Sequence, residues 1–228
     1  MGLHPLFTLG PRLQLCASMV RKNVKLADVG TDHAYLPIWL AKKAIISNAV
    51  AADIRQGPLE KAKDNIQRYH VQDTVTARLS DGLNKISPNE ADDIVIAGMG
   101  GEMINKIIEN AKWLKDSNKR LILQPMTSVP ELRKYLAENG FALLKEQAVI
   151  DENHAYTVIL SYYNPKLIKT DELYEYIGML NPKKQADREY VSRVLVSLSK
   201  KARGMEISGK NREAQKLYNI IDNIKSKV

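Results

Sequence analysis

The sequence contains a single cysteine, Cys16, in 228 residues, so neither an internal disulfide framework nor a cysteine-based zinc cluster can form. No apolar run approaches the roughly 18 residues that a membrane span requires. The N-terminal stretch MGLHPLFTLGPRLQLCASMV makes a poor signal peptide, because no basic segment precedes it and Pro11 and Arg12 interrupt it. Leu6 breaks the myristoylation pattern that Met1 and Gly2 begin, and Leu15 is too large for lipoprotein cleavage before Cys16. The four histidines show no metal-ligand spacing and the carboxylates form no recognised metal motif, so no catalytic metal is expected. Internal repeats and low-complexity tracts are also missing. What remains is a cytoplasmic, globular protein, expected to be a monomer, whose length suits one ordinary domain with an appendage.

What the sequence does have is alternation. Leu13, Cys16, Ala17 and Val20 fall at helical spacing over residues 11–20. Strand-like runs then alternate with helical patterns: VKLADVG, a helix over 36–43, NAVAADI, a helix over 58–69, VTARLSDG, DDIVIAGMG, a helix over 102–114, RLILQPM and a helix over 129–139. Strands and helices in this order imply right-handed crossovers and a parallel sheet covered on both faces. The last two runs, FALLKEQAVIDE and HAYTVILSYY, have no helix between them and should form a hairpin turning near Asp151, Glu152 and Asn153. The expected fold is α/β and Rossmann-like, with parallel strands and a terminal antiparallel hairpin over residues 1–164. From Thr170 the pattern changes to continuous helix, giving a basic helical hairpin as a second domain over 165–228. Tyr190, Val194, Leu198 and Ala202 form one stripe, and Leu217, Ile220, Ile221 and Ile224 another, with Ser208 and Gly209 at the turn. Tyr174, Ile177, Leu180 and Pro182 should make the joint to the first domain.

Charge is distributed unevenly. Residues 165–228 carry 14 Lys or Arg against 8 Asp or Glu, a net of +6 out of the chain's +8. Such a tail suits a polyanion such as nucleic acid, although a solvated helical surface would look the same.

In an open parallel sheet the ligand sits beyond the C-terminal strand ends. The first loop reads Gly30-Thr31-Asp32-His33-Ala34-Tyr35, with only one glycine of a dinucleotide fingerprint in register. A carboxylate at Asp32 would repel a pyrophosphate. A donor without phosphates and with a cationic end would tolerate it, and S-adenosylmethionine is such a molecule. Asp28, Asp53 and Asp81 close three successive strands, with Asp53 placed for a ribose diol and Asp81 for an adenine amino group. The expected donor site adds Gly30 from the first loop, Ile54 from the second, Ser80 and Gly82 from the third, and Ala97, Gly98, Met99 and Gly100 from the fourth. Each aspartate alone also suits a turn or an N-cap.

The segments ADVGTDHAYLP, DIRQGPLEKA, LSDGL, IAGMGG and LILQP resemble the motif series of the bacterial tRNA (adenine-N1)-methyltransferases that modify the D-loop adenine at position 22. The similarity runs from about residue 11 to 164 and more loosely into the tail. It implies a class I methyltransferase domain, S-adenosylmethionine as donor and a helical hairpin that helps to hold tRNA. The sequence departs from the family pattern at Asp53, where a glutamate is usual, and at AADI, where a glycine-containing AGE is usual.

The fourth loop, Ala97-Gly98-Met99-Gly100-Gly101, lacks the prolines and the aromatic that enzymes acting on exocyclic amines commonly place there. A ring nitrogen fits better. Asp32 is the candidate for stabilising positive charge on the base, with His33 and Tyr35 orienting or stacking. Gly98, Gly100 and Gly101 would let backbone approach the base. Gln124 would read the adenine edge, and Tyr35, Tyr156 and Tyr162 are candidate stacking partners. Lys200, Lys201, Arg203, Lys210 and Arg212 should gather at the hairpin tip and meet tRNA phosphates. Two other readings stay open: a methyltransferase of a protein or small molecule, and a nonenzymatic RNA-binding protein of the same fold.

Overall fold

The computed structural model describes residues 5–168 and 170–227; Met1 and Gly2, on which the broken myristoylation pattern rests, lie outside them. A helix, α1 (Pro11–Met19), precedes the alternating series β1 (Val24–Val29), α2 (Tyr35–Lys42), β2 (Ile46–Asp53), α3 (Gln56–Arg68) and β3 (Val75–Leu79). The series continues through β4 (Asp93–Gly100), α4 (Gly101–Asn110), β5 (Arg120–Thr127) and α5 (Val129–Glu138), and ends in β6 (Phe141–Asp151) and β7 (His154–Tyr163). The seven strands lie in the order β3-β2-β1-β4-β5-β7-β6, with β7 antiparallel to both neighbours and the other pairs parallel.

The apolar runs of the central strands follow from burial on both faces. Ala27, Val29, Ile94, Ile96, Leu121 and Leu123 pack under α4 and α5, through Ile104, Ile108, Leu132 and Leu136. The intervening residues Leu26, Val95 and Ile122 pack on the other face, under α1, α2 and α3. The crossing order reverses between β1 and β4, so the loops after these strands diverge and leave a crevice at the C-terminal edge.

The tail differs from the expected continuous helix. After β7 come a four-residue helix, α6 (Tyr174–Ile177), a turn, and then α7 (Gln185–Ile207) and α8 (Asn211–Lys225). Gly178 breaks the helix at φ +51, and a Cβ there would run into the Glu146 carboxylate. Glu146 and Arg133 form a fully buried ion pair, Arg133 Nη2 to Glu146 Oε1 at 2.7 Å. Arg133 also donates to the carbonyls of Glu175 and Tyr176, and Glu146 accepts from Thr157 Oγ1 and the Met179 amide. Asp187, at the start of α7, accepts from the amides of Ala148 and Asn181. The joint thus combines buried Leu173, Ile177 and Leu180 with a polar lock built from α5, β6 and α7.

Candidate active site

The loops after β1, β2 and β3, the C-terminal end of β4 and the start of α1 line a cavity of about 610 Å³ at the C-terminal edge of the sheet. The first loop is tied to β2, because the amides of Gly30 and Thr31 both donate to the Ala52 carbonyl, at 2.8 and 2.9 Å. Thr31 Oγ1 donates to Asp28 Oδ2 at 2.5 Å. Asp28 is only 4% exposed. Burial pushes its carboxyl up to about 6, and nearby Asp53 adds to the rise while the Thr31 hydrogen bond opposes it.

Asp32 and Ala34 both adopt left-handed backbone, at φ +42 and +59, which costs on the order of 1 kcal/mol each for residues with a Cβ. The conformation is held from within and from outside: the Ala34 amide donates to the Asp32 carbonyl at 2.6 Å, and Asn65 Nδ2 of α3 donates to the His33 carbonyl at 3.0 Å. The turn carries the Asp32 side chain to the rim, 66% exposed and 3.6 Å from His33 Nε2. Tyr35 lines the cavity beside it. His33 does not line the cavity; its ring stands edge-on to Tyr35 at 5.5 Å, and Phe7 braces Tyr35 from another side at 5.0 Å.

Asp53, also 4% exposed, accepts the Arg55 amide at 2.8 Å through Oδ1. Ile54 next to it presents an exposed apolar side chain to the cavity. In the third loop Ser80 donates to the Gly82 carbonyl and accepts from the Lys85 amide, which fixes the turn and leaves Asp81 exposed at the cavity wall. Gly82 sits at φ +54 with Ile107 behind it.

Ala97, Gly98 and Met99 line the cavity, but Gly100 and Gly101 do not. A Cβ at Gly100 would lie 3.0 Å from Thr127 Oγ1, and one at Gly101 would collide with the Ser128 carbonyl. Gly101 is required by the β5–α5 turn packed against it, and Gly100 is crowded by the Thr127 side chain, so the close approach at these two positions is to the protein's own chain. Gln124 also departs from expectation. It is fully buried, its Oε1 accepts from the Gly98 amide and from Arg12 Nη1, and its Nε2 donates to the Pro125 carbonyl and to Met126 Sδ at 3.6 Å, so the amide is turned into the protein and not toward a base edge. Tyr162 lies near the N-terminal end of β5, with Arg120 over its ring at 4.5 Å, at the edge of the sheet away from the cavity.

Residues 9–159 match the Methyltransferase domain family. The Bacillus subtilis tRNA (adenine(22)-N(1))-methyltransferase is 34% identical over 172 residues, covering 75% of this chain and 72% of that protein. The chain belongs to the tRNA (adenine(22)-N(1))-methyltransferase family. The crystal structure of the B. subtilis m1A22 tRNA methyltransferase superposes with a TM-score of 0.82 at 28% identity, covering 97% of each chain. A putative tRNA (m1A22) methyltransferase from Streptococcus pneumoniae, solved in complex with S-adenosyl-L-methionine, gives 0.78 at 31% identity and covers 94% of this chain and 97% of that one.

In this methyltransferase the cavity wall is acidic: Asp28, Asp32, Asp53 and Asp81 against Arg12 and Arg55. That balance fits a donor bearing a sulfonium and an ammonium group, and the volume is in the usual range for a cofactor site. Three lining residues had no local sequence signal. Arg12 precedes β1 in the chain and is brought in by the packing of α1; Met103 and Met126 add exposed apolar surface at the mouth. The five basic residues of the tail lie where α7 ends and α8 begins, all exposed, and among the described residues none of them makes an ion pair.

Proposed function

We infer that the protein transfers a methyl group from S-adenosylmethionine to N1 of the adenine at position 22 in the tRNA D-loop. The observation that carries this reading is the acid-walled cavity at the strand switch point, in a chain that matches the B. subtilis enzyme over three quarters of its length.

When bound, the donor supplies an electrophilic methyl group on a positively charged sulfur. We assign Asp53 to the ribose hydroxyls, using the oxygen that the Arg55 amide does not occupy, and Asp81 to the adenine amino group, with Ile54 as an apolar shelf against the ring. Asp28 and the Gly30 backbone face the amino-acid end. The acceptor N1 attacks through its in-plane lone pair; a bond from N1 to the methyl carbon forms as the carbon–sulfur bond breaks, and the positive charge passes to the base. No proton has to leave, so no general base and no metal are required. The protein's task is alignment, together with negative charge near the base. Asp32, held at the rim, is assigned that second role, with Tyr35 as the stacking surface.

The basic tip of the tail is assigned to tRNA phosphates outside the methylated loop. Among the described residues no helix is long and apolar enough to cross a membrane, and a tRNA substrate supports a cytoplasmic enzyme. Incubation with donor and a tRNA transcript carrying adenine 22, followed by nucleoside mass spectrometry, should yield 1-methyladenosine, and a transcript with guanine 22 should yield none. Methylation at an exocyclic amine, or none on either transcript, overturns the reading.

A further inference from the structure

The C-terminal end of β4, residues 97–100, passes directly into α4, and this glycine-rich segment at the cavity wall has little in its own sequence to fix its shape. Gly98 is at φ +76 with open space on its Cβ side. The β4–β5 ladder is irregular here, with register shifts on both sides of Met99, and Met99 is paired with Pro125, which has no N–H to offer. Among the described residues the one side-chain hydrogen bond to residues 97–99 is that from the Gly98 amide to Gln124 Oε1, at 3.0 Å.

Arg12 holds that glutamine. Its Nη1 donates to Gln124 Oε1 at 3.2 Å and contacts Met126 Sδ at 3.4 Å, while Nε donates to Asp151 Oδ2 at 2.7 Å. The guanidinium lies 5.1 Å from the centre of the Tyr156 ring. A guanidinium donates along several fixed in-plane directions at once, so Arg12 spans α1, the end of β5 and the β6–β7 turn. An ammonium, a single point of charge on a flexible stem, would not hold both acceptors in one geometry. With Arg12 in place the Gln124 amide has one satisfied orientation, oxygen toward Gly98 and nitrogen toward the Pro125 carbonyl.

We propose that Arg12 is a positioning residue for methyl transfer, which acts through Gln124 to set the Gly98 loop around the target base. The proposal rests on the tRNA methyltransferase reading and goes beyond it by assigning a residue outside the strand-end motifs. Its consequence is a defect in the chemical step larger than any loss of donor binding: Arg12 lines the cavity, but its hydrogen bonds go to Asp151, Gln124 and Met126 and not to Asp28, Asp53 or Asp81.

The test is single-turnover methylation of an adenine-22 tRNA with saturating donor and tRNA, alongside donor calorimetry and melting curves. Arg12→Ala should lower the transfer rate by about 10- to 100-fold, the loss expected when reacting groups are misplaced by about 1 Å. Donor affinity should fall by a smaller factor than the rate, and the tRNA concentration for half-maximal rate should stay within about twofold of wild type. Gln124→Leu should give the same defect, and the double variant should be no slower than Arg12→Ala alone, because both act through one bond. Arg12→Lys should keep tRNA affinity and recover only part of the rate. Independent, multiplying effects of the two substitutions overturn the proposal. So does a raised tRNA requirement with an intact rate, which would make Arg12 a phosphate contact, or full rescue by lysine. If Arg12→Ala does not fold, a wild-type rate in Gln124→Leu overturns it alone. Wild-type protein that forms no 1-methyladenosine counts against the functional reading instead.

Discussion

Two regions of the molecule carry charge in opposite ways. In the strand-end loops Asp28 and Asp53 are buried, each fixed by a named hydrogen bond to Thr31 or Arg55. At the hairpin tip Lys200, Lys201, Arg203, Lys210 and Arg212 stand in solvent. A buried, oriented carboxylate acts at short range and is sensitive to a single substitution. Exposed lysines and arginines act through a shared field, each contributes little, and salt screens them all. The first arrangement suits recognition of a small donor at fixed distances; the second suits a large polyanion approached in solution. The buried Arg133–Glu146 pair is neither: it joins α5 and β6 to the start of the tail through the Glu175, Tyr176 and Met179 backbone.

That joint offers the largest effect. Arg133→Ala leaves the Glu146 carboxylate buried without its partner, a loss of about 3 to 5 kcal/mol. Calorimetry should show the melting temperature falling by about 10 °C for a chain of this size. A wild-type melting curve would mean that the tail is held by its apolar contacts alone.

The strand-end loops come next. Asp53→Ala removes the hydrogen-bond acceptor assigned to the ribose and should weaken donor binding by about 1 to 3 kcal/mol. Asp32→Ala should show the reverse profile, with the transfer rate falling more than donor affinity. Calorimetric and single-turnover measurements on both variants test this contrast, and identical profiles would erase the distinction between a donor-binding and a base-facing aspartate.

At the tip, neutralising Lys200, Lys201 and Arg203 together should raise the tRNA concentration for half-maximal rate and flatten the salt dependence by somewhat under one unit of slope per lost phosphate contact. Donor affinity should not move. Matching slopes in a filter-binding series over several salt concentrations would leave the tip as a merely solvated helix end.

The smallest effect expected is one of pH. The Asp28 carboxyl is raised from 3.8 to about 6, so the free protein favours its protonated form. Its contribution to stability is therefore fully present below pH 3.8 and lost as pH rises through about 6. A cationic donor favours the ionised form instead. Donor affinity should rise by at most about tenfold from pH 5 to 7 and level off above about 6, and titration calorimetry across that range would show it. A flat profile would separate Asp28 from the donor's charge.

The sequence by itself determined the order of the elements. Strand runs buried on both faces must be apolar throughout, and helices covering them must repeat at 3.6 residues, so both leave periodic marks that read directly as β1 to β7 and α1 to α5. It also determined that Asp28, Asp53 and Asp81 would meet, because successive parallel strands bring their C-terminal ends to one edge. The tertiary structure alone decided which side chains reach the cavity. Arg12 enters because α1 packs beside β5 and the β6–β7 turn, contacts more than a hundred residues away in the chain. Gln124 was expected to read the adenine edge, yet its buried amide oxygen accepts from the Gly98 amide and from Arg12, partners that only the packed strands and α1 bring to it. Gly100 and Gly101 looked like part of a ligand loop, but the residues that crowd them belong to the next turn of chain. Arg133 and Glu146, charged residues with no periodic mark, pair only because α5 and β6 close over them. Periodicity records which face of an element is buried; it holds no record of which distant residue will stand opposite.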